Sequence, residues 1–152
     1  MPRDPHRDQP VLVGGAPLAE AAGALVLLHG RGGSAQDMLD LARDLDRPRF
    51  AWLVPEAAGR HWYPYSLLEK PERNRSHLSS ALALLKRVLE KIAAAHVGPE
   101  RVVLPKRRVV ETATVFARLG ATVTQRVYPG LGHAIHPDEI AVARGMLDAV
   151  VA

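Results

Sequence analysis

LVLLHGRGGS, residues 25–34, is the stretch that decides the fold of this chain. With Ala24 ahead of it, Leu25-Val26-Leu27-Leu28 is an unbroken apolar run, and a strand without polar alternation is one buried on both faces, as in a parallel sheet. The run stops at His29-Gly30-Arg31-Gly32-Gly33, whose glycines permit a tight turn. Ser34 then offers an N-cap hydroxyl, and Asp37, three positions on, is its partner in a slightly short form of the capping box. Met38, Leu39, Leu41, Ala42 and Leu45 give the helix that follows an apolar face.

The same rhythm continues on both sides. Val11-Leu12-Val13 before Gly14-Gly15 reads as a short antiparallel edge strand, and residues 1–10 as a loose polar lead-in. Phe50-Ala51-Trp52-Leu53-Val54 is a second buried strand, stopped by Pro55. Glu56 to Arg75 reads as loop, holding Trp62, Tyr63 and Tyr65 among Gly59, Pro64 and Pro71. The spacing predicts a long helix from Ser76 to Ala95, with Leu78, Leu82, Leu85, Leu89 and Ile92 as its stripe, ended by Gly98 and Pro99. Arg101 to Leu104 is a third parallel strand, Val109 to Leu119 a helix, Ala121 to Tyr128 a fourth strand, and Pro137 to Val151 a closing helix. Alternation of this kind predicts one α/β domain over residues 11–152, a doubly wound, mainly parallel sheet with its ligand site beyond the strand C-termini. His29 to Ser34, Glu56 to Tyr65 and Pro129 to Asp138 all follow strands.

Composition narrows the function classes. A chain of 152 residues can bury roughly two-thirds of its unfolded surface without metals or crosslinks. There is no cysteine, which excludes disulfides, thiolate metal sites and cysteine nucleophiles. No apolar stretch approaches the ~18 residues of a membrane span, and the lead-in lacks the apolar run of a signal peptide, so a cytoplasmic location is expected. The net charge is +4, but the basic residues interleave with acids and few aromatics accompany them, which argues against a nucleic-acid surface.

Three segments, LVLLHGRGGS at 25–34, PEAAGRHWYPYSLL at 55–68 and VYPGLGHAIHPDEI at 127–140, together resemble the phospholipase/carboxylesterase branch of the α/β-hydrolases, in order and spacing along nearly the whole chain. The resemblance implies a serine ester hydrolase acting on a small-molecule ester or acyl substrate, with no cofactor and no metal. It implies that the glycine loop, Gly30 and Arg31, lends a backbone N–H of Arg31 to an oxyanion hole, and that His133 is the general base. Trp62, Tyr63 and Tyr65 would line the acyl or alcohol pocket, or else simply cover the sheet.

One part of the family pattern is missing. Gly-x-Ser-x-Gly occurs nowhere in the chain, and Leu104 runs directly into Pro105-Lys106-Arg107-Arg108. A strand meeting a helix there has no connecting residues, no side-chain N-cap, and three cations at the positive end of the helix dipole. The nucleophile segment and triad aspartate are therefore expected to be absent between Leu104 and Pro105, leaving a shortened hydrolase of weak or no activity. Unpartnered strand edges would then favour a homodimer. Ser34 is better explained as an N-cap, and Ser66, Ser76, Ser79 and Ser80 lack a glycine elbow. Two rivals stand beside this reading. One is a non-catalytic acyl or ester binder. The other is a dinucleotide-binding fold in which Gly30-x-Gly32-x-x-Ala35 takes the pyrophosphate and Glu56 the ribose. A metal held by His133, His136, Asp138 and His61 lacks the geometry of one helix face.

Overall fold

The computed structural model describes residues 4–66, 70–103 and 137–151. Its strands are β1 (Val11–Gly15), β2 (Gly23–Val26), β3 (Phe50–Pro55) and β4 (Val102–Val103), and its helices α1 (Ala35–Asp44), α2 (Arg75–Ala94) and α3 (Pro137–Val151). The four strands form one sheet in the order β1-β3-β2-β4. β2 pairs in parallel with both β3 and β4, while β1 runs antiparallel along β3 with Val13 opposite Leu53. This is the α/β sheet read from residues 24–28 and 50–54. The helix expected over 109–119, the strand over 121–128 and the junction at Leu104 and Pro105 lie outside the described residues.

Period-two alternation sorts the side chains of the sheet. Leu25, Leu27, Phe50 and Val54 join Leu39, Ala42 and Leu45 of the α1 region and Leu147 of α3 on one face. Ala24, Val26, Ala51 and Leu53 meet Leu85, Val88 and Ile92 of α2 on the other. Every residue of β2 is buried, which is why its sequence shows no polar alternation. Fully burying a residue such as Leu25 stabilises by about 1.5–3 kcal/mol. A bidentate ion pair, Arg47 Nε and Nη2 to the two Asp148 carboxylate oxygens at 2.7 and 2.8 Å, pins α3 to the approach of β3.

Two sequence expectations change. The segment from Glu56 to Arg75 is not all loop: Ala58–Arg60 and Pro71–Asn74 are single 3-10 turns, the second leading into α2 at Arg75. The buried face of α2 is also rotated from the leucine stripe. Ala81, Leu84, Leu85, Val88 and Ile92 are buried with Ser80, whereas Leu82 is 44% exposed. At the Ser80 flank a second element covers the helix. Residues 4–9 lie over α2 on the Ser80 side, where the His6 backbone N–H donates to Ser80 Oγ at 2.8 Å, so the helix buries a flank that a sheet alone would not cover.

Candidate functional site

β3 and β4 flank β2 on opposite sides, reached through α1 on one face of the sheet and α2 on the other. The strand order therefore reverses beside β2, and a ligand crevice belongs outside the carboxyl end of such a strand. Residues 27–34 emerge there. Ser34 caps α1 as expected: its hydroxyl accepts from the Asp37 N–H at 3.2 Å and the Asp37 carboxylate accepts from the Ser34 N–H at 2.8 Å. The hydrogen bonding with Ser34 holds the Asp37 carboxyl below its ordinary range. The Ser34 hydroxyl is engaged in capping, as a cap and not a nucleophile requires.

His29 is the post on which the loop is built. The residue is 2% exposed, and its Nε2 faces the Ala57 N–H at 3.0 Å. A backbone N–H can only donate, so Nε2 carries a lone pair and Nδ1 carries the proton, which it donates to Gly30 O at 2.8 Å. Glu56 lies beside it, Oε1 at 3.1 Å from His29 Nε2, while Oε2 accepts from the Ala35 N–H at 2.7 Å. Glu56 thus extends the capping of α1, the positive end of a helix dipole. Its carboxylate is turned into the loop, with Oε2 held by the Ala35 N–H and Oε1 buried without a hydrogen bond.

The aromatic segment folds against this loop. Trp62 Nε1 donates to His29 O at 2.8 Å, and the two rings lie 5.2 Å apart. The Arg31 guanidinium donates to Tyr63 O at 2.9 Å, Pro64 O at 3.2 Å and Tyr65 O at 3.5 Å, and stands 5.5 Å from the Tyr63 ring. Gly32, at φ +79°, donates its N–H to Arg60 O at 2.9 Å. Arg60 is itself left-handed at φ +62°, a conformation that disfavours a side chain. Asn74, 1% exposed, accepts from the Tyr65 N–H and donates to Tyr65 O, both at 3.0 Å.

Gly30, Arg31, Trp62, Tyr63 and Tyr65 are therefore brought together at one end of the sheet, whereas His133 lies outside the described residues. Three residues of this region were not singled out by sequence reasoning: His29 as a buried post, Asn74 as a clamp, and His6, whose ring is fully buried between Trp62 and α2. An asparagine just ahead of a helix signals a cap, and here it serves the neighbouring loop instead. Among the described residues no three His, Asp or Glu side chains form a metal cage, and no helix is long and apolar enough to cross a membrane.

No protein-family model matches the chain, and no curated protein matches it in sequence. Solved structures do resemble it. A phospholipase/carboxylesterase from Dyadobacter fermentans superposes with a TM-score of 0.74 at 24% identity, over 92% of this chain and 96% of that one. Esterase PE8 superposes with a TM-score of 0.64 at 17% identity, over 93% and 99% of the two chains. The chain shares the α/β fold of these esterases.

Proposed function

We propose that the chain carries a carboxylic ester hydrolase site, of the carboxylesterase/phospholipase/thioesterase kind, that binds an ester or acyl group and turns it over weakly or not at all. The supporting observation is the glycine loop after β2, laid against the Trp62–Tyr65 segment at the point where strand order reverses. A Cβ built on Gly30 meets nothing within 4 Å, so packing gives no reason for glycine there. A group approaching the backbone does. Among the described residues the Arg31 N–H has no acceptor, and it is the donor assigned to the carbonyl oxygen.

In this reading charge developing on the ester oxygen is met by the Arg31 N–H, and His133 moves the proton. The absence of Gly-x-Ser-x-Gly leaves water as nucleophile: its oxygen attacks the carbonyl carbon, His133 takes its proton, and the same proton passes to the departing alcohol. Sites stripped of their triad retain about 10³–10⁴-fold catalysis over water from binding and oxyanion donors. Trp62, Tyr63 and Tyr65 would form the apolar wall. A non-catalytic binder is the limiting case; Tyr65 is 37% exposed with the Arg73 guanidinium 3.8 Å from its ring centroid, so an acyl chain would meet a cation-covered ring there.

The test is the intact mass of the purified protein before and after a fluorophosphonate, which labels only an activated serine, together with hydrolysis of p-nitrophenyl octanoate. No label is expected, with slow turnover that falls in His133→Ala, or with octanoate binding and no turnover. Stoichiometric labelling of a serine would refute the weak-site reading. Absence of both binding and turnover would remove the ester assignment.

A further inference from the structure

The segment before β1 has the composition of a disordered lead-in, yet its central residue is among the best-buried in the molecule. His6 is 0% exposed. Both of its ring nitrogens are occupied by the aromatic loop: Nδ1 accepts from the Ala58 N–H at 3.0 Å, and Nε2–H donates to Trp62 O at 3.1 Å. Its backbone is held on the other side by α2, through its N–H to Ser80 Oγ and the Arg87 guanidinium to His6 O and Arg7 O at 3.5 and 3.1 Å. Ser80 Oγ in turn donates to the Asp4 carboxylate. Through its backbone and its ring together, His6 thus ties α2 to the start and the end of the segment Ala58–Trp62.

The pairing tolerates only the neutral ring. An imidazolium has two donors and no lone pair, so it cannot accept from the Ala58 N–H, and burial makes a backbone N–H left without a partner unfavourable.

We propose that residues 4–9 form an acid-released strap, in which neutral His6 locks the Ala58–Trp62 segment against the glycine loop and protonation of His6 frees that segment. The strap acts on loop order and stands whether or not the site turns over an ester.

The surroundings of the ring set the direction. Burial is the leading effect and holds His6 below its ordinary 6.5. Proximity to His77, with its ring centroid 6.1 Å away on α2, and to His29, across Trp62, acts in the same direction; Asp4 and the hydrogen bond to Trp62 O oppose them. Arg87 adds a cation from α2 near the His6 carbonyl. Because the folded group binds its proton less tightly than the released one, the strap is fully present above pH 6.5. It is lost as pH falls from there through the lower folded midpoint. Each unit of separation makes release roughly tenfold more favourable at acid pH.

The experiment is a proton–nitrogen NMR titration of the whole chain from pH 8 to 4.5, following the His6 ring and the indole N–H signals of Trp62 and Trp52. Trp62 Nε1–H is bonded to His29 O and reports loop docking; Trp52, packed toward α1, is the internal control. Expected is a His6 midpoint below 6.5, with the Trp62 indole and the 57–62 amides changing at that midpoint while Trp52 does not. His6→Gln, which keeps one donor and one acceptor but cannot titrate, should abolish the Trp62 transition. His77→Gln should raise its midpoint. A His6 midpoint at or above 6.5, a Trp62 signal that ignores the His6 titration, or a Trp62 transition that persists in folded His6→Gln would overturn the proposal. Should His6→Gln not fold, the wild-type and His77→Gln titrations decide alone.

Discussion

Arg31 joins two tasks on one residue: its backbone N–H is the proposed oxyanion donor, while its side chain holds three successive carbonyls of the aromatic segment. Motif logic reads the backbone part, because glycines on either side announce a loop that something approaches. The side-chain part is invisible in sequence, since carbonyl oxygens leave no trace in residue identity. Arg31→Ala should therefore loosen residues 62–65 with little effect on global stability, as the guanidinium is exposed and only one end of the loop depends on it. Hydrogen bonds to a charged donor contribute about 1.5–3 kcal/mol when well shielded, so an exposed clamp of this kind is expected to contribute about 1 kcal/mol. Hydrogen exchange of the Tyr65 amide, which is bonded to Asn74 Oδ1, should speed up roughly fivefold, with the β2 and β3 amides unchanged. Arg31→Lys should not restore protection, because one ammonium cannot span neighbouring carbonyls as a planar fork does. Full protection in Arg31→Lys would show that charge alone holds the loop.

At the scale of elements, α1 is the helix most readable in advance and the easiest to test. Ser34 and Asp37 cap each other, and Glu56 adds a third acceptor at Ala35. Ser34→Ala removes one acceptor at the N-terminus, and such changes cost about 1 kcal/mol within a range of 0.5–2. A denaturant midpoint lowered at constant slope is the expected result; an unchanged midpoint would mean that Glu56 alone suffices. The pH dependence has a fixed sign. Asp37 is held below its ordinary range, so its contribution is present at neutral pH and lost as the pH falls through the folded value, and Asp37→Asn should flatten the acid limb of stability.

The elements differ in how much of them sequence revealed, and the reasons are local. β2, β3 and α1 were legible because each announces itself within ten residues, by an unbroken apolar run or a cap three positions from its partner. The Ser80 flank of α2 was misread because it is covered by residues 4–9, some 75 positions away, and no periodicity within the helix carries that information. The 3-10 turns at Ala58 and Pro71 hide behind glycine and proline, which mark turns and loops alike. In the site the glycine loop and the aromatics were read correctly as neighbours of strand ends. His29, Asn74 and His6 were missed because a polar residue that bonds backbone atoms looks the same in sequence as one in solvent.

For the molecule as a whole, the sheet ends at β1 on one side, and its outward edge has no partner among the described residues. Native edge strands are commonly blunted by charge, by shortness or by proline. VLVGG carries no charge, and Val13 is 63% exposed in its middle. Pro10 and Pro17 limit the strand at both ends, so pairing with a second copy would be confined to a few residues. We propose a weak homodimer formed by antiparallel addition of β1 to its counterpart. Sedimentation velocity over a hundredfold range of protein concentration is the check. A rising weight-average coefficient is expected for the wild type. Val13→Lys should flatten it, because a two-fold antiparallel pair centred near this position would bring two ammonium groups within a few ångströms, where like charges oppose pairing. Added salt at 0.5 M should restore part of the association to the variant by screening, and leave the wild type, whose edge is apolar, little changed. A constant coefficient for the wild type would mean that two flanking prolines and two glycines are protection enough for an uncharged edge of five residues.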